Sequence, residues 1–78
     1  MISDHSTASK VEKMMREVGA VINESIGVVL AGGSESEFEA YRRTAGKLMG
    51  DIYVEILAPI YASHSDLTPP ELRRDEKA

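Results

Sequence analysis

Residues 52–61 read Ile-Tyr-Val-Glu-Ile-Leu-Ala-Pro-Ile-Tyr, and this stretch decides the fold. Glu55 is its only charged residue, so a helix formed here is apolar nearly all round. A helix on the surface of a globular protein carries one apolar stripe, whereas a helix that is apolar on every side must be covered on several sides. A chain of 78 residues has little else to cover it. The stretch therefore predicts that a second copy of the chain packs against it.

The composition limits the kinds of protein this chain can be. Its length indicates one domain, and the absence of cysteine excludes disulfides, thiol catalysis and thiolate metal sites. The net charge of −4 gives no basic surface for a phosphate backbone, so we expect no nucleic-acid partner. The longest apolar or glycine run, Ile26–Gly33, is far shorter than the ~20 residues needed to span a bilayer. We therefore expect a soluble, cytoplasmic protein that does not enter a membrane.

The chain divides into a short tail and one helical domain. Residues 1–8 show no periodic pattern and are expected to be a disordered tail, followed by a single domain over residues 9–78. Ser9 and Glu12 have the spacing of a capping box, in which each side chain bonds the backbone N–H of the other. They predict a first helix over about residues 9–31.

Two apolar stripes run along this first helix. One has the alternating three- and four-residue spacing of a heptad seam, and it comprises Val11, Met14, Val18, Val21, Ser25 and Val28. The other lies beside it and comprises Met15, Ile22, Ile26 and Val29. Together they form a face wide enough to contact more than one neighbour. Gly32 and Gly33 are expected to end the helix, because glycine readily takes the left-handed conformation found at helix ends.

A second long helix is predicted over about residues 36–62. Ser34 or Ser36 can cap it, and so short a connection makes the two helices antiparallel neighbours. Pro59 lacks a backbone N–H and crowds the carbonyl group of Glu55, so we expect a kink there.

Two further segments of the chain carry backbone signals. Gly46 and Gly50 have a spacing that permits close approach of another helix; the alternative, equally supported by the sequence, is that they are tolerated in a helix that nothing approaches. Thr68-Pro-Pro-Glu71 resembles a helix start and predicts a short helix over about residues 69–75. The segment Leu67–Leu72 also fits an extended docking motif, but the helix is the favoured interpretation.

These elements predict an all-α fold, an antiparallel helical hairpin with a short C-terminal helix, pairing as a homodimeric four-helix bundle. A lone hairpin buries only the stripe where its two helices touch, and closed two-fold dimers are the commonest homo-oligomers. The residues predicted to form the dimer interface are the large apolar side chains of the two helices' second halves: Ile22, Ile26, Val29, Ile52, Tyr53, Ile56, Leu57, Ile60 and Tyr61.

The sequence offers little support for an enzyme. Asp4-His5-Ser6 and His64-Ser65-Asp66 contain the residues of a serine-hydrolase triad, but a triad is assembled in space and not from sequence neighbours. The chain has no Glu-x-x-His motif of the kind that binds metal in helical bundles. We therefore expect no catalytic residues, no metal ligands and no cofactor.

By exclusion, the sequence favours a non-enzymatic protein–protein interaction module that acts through homodimerisation and presents a surface to another protein. The alternative is a small-ligand-binding regulator with an apolar pocket in the bundle core, between Met15, Met49, Tyr53 and Ile56. A third hypothesis is a small enzyme that uses carboxylates with disturbed pKa values, drawn from Glu24, Asp51 and Glu55.

Overall fold

The computed structural model describes residues 1–72 and shows two long helices, which form a hairpin. The first helix, α1, spans His5–Gly32, and the second, α2, spans Glu35–Ile52. The rest of the described chain consists of a π-helical turn, Tyr53–Leu57, a short helix α3, Ala58–Ser63, and two 3₁₀ turns, Ser65–Leu67 and Pro70–Leu72. Residues 1–72 contain no strand, and none of their helices is long and apolar enough to cross a bilayer. The predicted all-α class and its two main helices are confirmed.

The helix α1 begins at His5, earlier than the predicted start at Ser9. Asp4 caps it, because its carboxylate accepts hydrogen bonds from the backbone N–H of Thr7 at 2.9 Å and from the Thr7 hydroxyl at 2.7 Å. The extra turn also buries Ala8 completely. Residues 5–8, expected to belong to a disordered tail, are therefore helical, and Ser9 lies inside the helix and does not cap it.

The turn between α1 and α2 consists of Gly33 and Ser34. Ser34 and Glu37 form the capping box of α2: the Ser34 hydroxyl accepts from the Glu37 N–H at 3.2 Å, and the Ser34 N–H donates to the Glu37 carboxylate at 2.7 Å. Gly33 is extended, with φ −105° and ψ 176°, and is not left-handed as predicted. Glycine is needed there for space, since a Cβ atom would lie 3.0 Å from the Val29 carbonyl oxygen and from Glu37 Oε1.

The predicted irregularity at Pro59 takes the form of a widened helical turn. The Ala58 N–H bonds to the carbonyl of Tyr53, five residues earlier, which is the hydrogen bond of a π-helix. Proline cannot donate to the carbonyl of Glu55 and crowds it in a regular α-helix. The wider turn accommodates the proline ring, and the chain continues beyond it as α3. A π-helical turn is itself a common site of a helix kink, so the turn is compatible with the expected kink.

The hydrophobic core lies at the open end of the hairpin, away from the turn. Ala8, Leu57, Ile60 and Tyr61 form its buried centre. Partly buried side chains pack around them: Ile2, Val11, Met15, Ile52, Ile56 and Leu67. The core therefore joins the start of α1 to α3 and to the segment that follows it.

The C-terminal helix predicted over residues 69–75 is much shorter in the described part of the chain. Pro70–Leu72 forms a single 3₁₀ turn. Two consecutive prolines remove two backbone N–H donors, which leaves this segment few intrahelical hydrogen bonds. Residues 73–75 of the predicted helix lie outside the described residues.

Candidate functional site

The two apolar stripes of α1 have different surroundings. The stripe of Met15, Ile22, Ile26 and Val29 is half-buried on the side that faces the rest of the hairpin. The seam beside it is largely uncovered: Met14 is 57%, Val18 41%, Val21 63% and Val28 70% exposed. These four residues of the seam are thus exposed and apolar, whereas Val11 packs on the core and Ser25 is half-buried.

The helix α2 adds two exposed apolar side chains on the same side of the hairpin. The Tyr41 hydroxyl donates a 2.7 Å hydrogen bond to the hydroxyl of Ser25, a seam residue whose own proton goes to the Ile22 carbonyl. Leu48 follows two helical turns after Tyr41 and therefore lies on the same face of α2; it is 51% exposed. We call this surface the apolar flank, defined by Met14, Val18, Val21, Val28, Tyr41 and Leu48.

At the turn end of the hairpin the flank forms an open groove of about 710 Å³. Val28 of α1 and Ala40, Tyr41 and Thr44 of α2 contribute to its walls. The groove is distant from the pocket predicted between Met15, Met49, Tyr53 and Ile56. Two of those four residues, Met15 and Ile56, instead pack against the buried core.

The structure separates the predicted interface residues into three groups. Leu57, Ile60 and Tyr61 are buried within the single chain, at 7%, 0% and 8% exposure, which corrects their assignment to a surface between copies. Their burial is explained by Ala8, which the longer α1 brings against them. The half-buried group comprises Ile22, Ile26, Val29, Ile52 and Ile56. Tyr53 remains exposed.

The two glycines predicted to allow close helix approach face open space within the chain. A Cβ atom added at Gly46 or Gly50 would meet nothing within 4 Å. At about 100° per residue, both glycines lie on the far side of α2 from Tyr41 and Leu48. They are therefore outside the apolar flank.

A buried polar cluster joins α1 to α3. Glu12 is 4% exposed, and its Oε2 atom accepts hydrogen bonds from the Tyr61 hydroxyl and from Arg16 Nε, both at 2.7 Å. Burial and the hydrogen bond to Glu12 raise the pKa of Tyr61 well above its ordinary value. The same carboxylate raises the pKa of Arg16. The cluster stabilises the hairpin, with each of its polar groups engaged by another.

The sequence interpretation missed this cluster because it assigned Glu12 to a helix cap. A signal was present: Glu12 lies on the same face of the helix as Ala8 and Met15, and Arg16 follows it by four residues, the spacing of an ion pair. An acidic residue on an apolar face with such a partner indicates a buried carboxylate that pairs with a cation at the surface.

The two triad-like tripeptides come together, but in a structural contact. His5 Nε2 lies 2.8 Å from Asp66 Oδ2, and His64 Nε2 lies 2.8 Å from the carbonyl oxygen of Ile2. The two imidazole rings meet edge to face, with centroids 5.3 Å apart. The contact with His5 lowers the pKa of Asp66. These contacts hold the N-terminus against the segment that follows α3.

The carboxylates considered for catalysis are not grouped. Glu24, Asp51 and Glu55 are all exposed, and Asp51 pairs with Lys47 at 3.3 Å. Among the described residues, no three His, Asp or Glu side chains are placed to hold a metal ion.

Comparison with known proteins gives no relative from which a role could be transferred. No family model matches the chain, and neither the curated sequences nor the solved structures give a significant match.

Proposed function

We propose that the chain is a non-enzymatic protein–protein interaction module that acts through homodimerisation and then presents the dimer surface to another protein. The observation that carries this proposal is the extended shape of the chain. Its radius of gyration is 15.2 Å, whereas a compact domain of this length has a radius of gyration of about 11–12 Å. The chain is therefore more extended than a domain that completes its own core.

The distribution of apolar side chains supports the same proposal. In residues 1–71 the buried hydrophobic residues are Ala8, Ala45, Leu57, Ile60 and Tyr61, two of which are alanines. The apolar flank exposes on the order of 500 Å², which is near the upper end of what a soluble monomer leaves in one patch. A second copy covers this surface by a closed two-fold contact. The cysteine-free composition is compatible with a reducing compartment such as the cytoplasm.

The alternative function, a small-ligand-binding regulator, is favoured by one observation. The groove at the turn has a volume of about 710 Å³, within the ~300–1,000 Å³ range of small-molecule sites. Its walls combine Val28 and Ala40 with the polar groups of Tyr41 and Thr44. An apolar ligand with one hydroxyl or carbonyl group suits this lining.

Sedimentation equilibrium of the purified chain tests the proposal. We expect the wild-type chain to be a dimer at micromolar concentration and Val21→Glu, which places a charge in the flank, to weaken the dimer at least tenfold. Ala20→Glu is the matched control, because it adds the same charge one residue away and outside the flank. A folded wild-type monomer at this concentration, shown by circular dichroism and sedimentation together, contradicts the proposal.

A further inference from the structure

We infer that two copies of the chain pair antiparallel along the seam of α1, about a two-fold axis between Gly19 and Ala20. This inference rests on the proposed homodimerisation and names the surface and register that perform it. In this register Val18 packs against Val21 of the second copy, Met14 against Ser25 and Val11 against Val28. The four exposed residues of the seam, Met14, Val18, Val21 and Val28, then each face a seam residue of the second copy, while Val11 and Ser25 keep the contacts they make within their own chain.

The structure leaves the four exposed residues of the seam available for such a pairing. In the heptad that contains the seam, the neighbouring positions on one side are Met15, Ile22 and Val29, which are half-buried toward α2. The corresponding positions on the other side are Lys10, Glu17 and Glu24, which are exposed. The seam therefore lies roughly a quarter turn from the contact with α2, where a partner helix completes a square of four helices.

The helix α2 is placed to pack in the same dimer. Ser25 lies level with Tyr41 through their hydrogen bond, so Leu48, two turns further along α2, lies level with about Val18. Leu48 is thus close to the proposed axis and faces Leu48 of the second copy. The resulting assembly is a four-helix bundle in which α1 pairs with α1 and α2 with α2.

The apolar area exposed on the flank agrees with the area that a homodimer interface buries. A stable interface of standard size buries about 800 Å² per partner, of which about 65% is apolar in homodimers. The flank exposes apolar surface on the order of 500 Å², which matches the apolar part of one partner's share of such an interface.

A competing register, shifted by one heptad, sets Lys10 against Glu24 of the second copy. It gains two exposed ion pairs, each worth at most about fivefold in affinity. However, the competing register places Val28 of each copy opposite Asp4, at the start of the partner's α1. Val28 then has no apolar side chain to cover it. Burying a valine is worth more than about tenfold. The full-overlap register is favoured, although it sets Glu17 against Glu24 of the second copy.

This opposition of like charges provides a sharp test by sedimentation equilibrium. We expect Glu24→Lys, and separately Glu17→Lys, to tighten the dimer about three- to tenfold, because each converts two like-charge pairs into two opposite-charge pairs. The double variant Glu17→Lys/Glu24→Lys restores like charges and is expected to return toward the wild-type affinity. If the change in net charge were the cause, the double variant would tighten further. Weakening by Glu24→Lys overturns the register, since that substitution opposes Lys10 in the competing one.

Disulfide trapping provides a second measurement, made simple by the absence of native cysteine. We expect Met14→Cys/Ser25→Cys to form a covalent dimer under mild oxidation, and neither single variant to do so. A parallel seam pairs each position with itself, so cross-linking of the single variants overturns the antiparallel arrangement. A wild-type dimer with no cross-link in the double variant overturns the seam pairing while leaving homodimerisation intact, whereas a monomeric wild-type chain rejects both.

Discussion

Tyr61 and Glu12 are 49 residues apart in sequence, yet the Tyr61 hydroxyl donates a 2.7 Å hydrogen bond to the Glu12 carboxylate. Arg16 donates to the same oxygen atom, so the buried charge is paired as well as hydrogen-bonded. An unpaired buried carboxylate is strongly destabilising, and a paired one is tolerated. The bond therefore determines how α3 docks on α1.

We predict that Tyr61→Phe lowers the free energy of unfolding by about 1–3 kcal/mol, because it removes a hydrogen bond to a buried charge. Tyr53→Phe is the matched control: its ring lies 6.4 Å from that of Tyr61, but Tyr53 is 43% exposed. Urea denaturation of both variants measures the difference. Equal losses in the two variants would contradict the assigned role of the Tyr61 hydroxyl.

The same bond predicts a stability change at alkaline pH. Because burial and the bond to Glu12 raise the pKa of Tyr61 above its ordinary value of 10.0, the folded state favours the neutral hydroxyl. This contribution to stability is fully present below pH 10 and is lost as the pH rises above it. We expect the free energy of unfolding of the wild-type chain to fall more steeply above pH 10 than that of Tyr61→Phe. Parallel curves for the two proteins would show that Tyr61 titrates normally.

The start of α1 can be tested by removing its cap. We predict that Asp4→Ala lowers the free energy of unfolding by about 1 kcal/mol, the usual effect of losing a capping side chain. Ser9→Ala is the control, and we expect almost no change, because Ser9 lies inside the helix. Thermal denaturation of the two variants distinguishes the observed start from the one expected from the sequence; a larger loss in Ser9→Ala would favour the latter.

The turn provides a comparison between adjacent glycines. Gly33→Ala places a Cβ atom 3.0 Å from the Val29 carbonyl oxygen and from Glu37 Oε1, so we expect a loss of about 1–2 kcal/mol from crowding. Gly32→Ala meets nothing within 4 Å and is expected to be neutral or stabilising. Chemical denaturation measures both. A Gly33→Ala variant as stable as the wild-type chain would mean that the residues of the capping box shift away from the new Cβ atom without a loss of stability.

For the glycines of α2 we predict a gain in stability. Gly46→Ala and Gly50→Ala meet open space and improve helix propensity, so each is expected to add about 0.5–1 kcal/mol to the free energy of unfolding. Because both lie outside the apolar flank, the dimer dissociation constant should not change. Weakening of the dimer, measured by sedimentation, would instead support the close helix approach predicted from their spacing.

Periodicity predicted the helices and the two stripes of α1, because both depend on residue spacing alone. It could not tell which stripe faces α2, since Met15 and Val18 are equally apolar and the choice depends on how the hairpin twists. The start of α1 at His5 could not be predicted for a related reason. Asp4 and Ser9 are both good caps, and the burial of Ala8 against Ile60, a long-range contact, favours the earlier one.

The π-helical turn also could not be predicted from the sequence. Pro59 predicts that the helix is disturbed, but both a kink and a widened turn accommodate a residue that lacks a backbone N–H. The wider turn comes with the packing of Leu57 and Ile60 into the core, and local sequence does not specify these long-range contacts.

The position of the core, at the open end of the hairpin, has a consequence for synthesis of the chain. Its contacts join Ile2 and Ala8 to Ile60 and Leu67, so nearly all of the described sequence separates the residues that meet. Such long loops close slowly. A nascent chain that has emerged only as far as Ile52 contains both long helices but none of the other three buried residues of the core, Leu57, Ile60 and Tyr61. It must wait for translation to proceed to Leu67 before its two ends can meet.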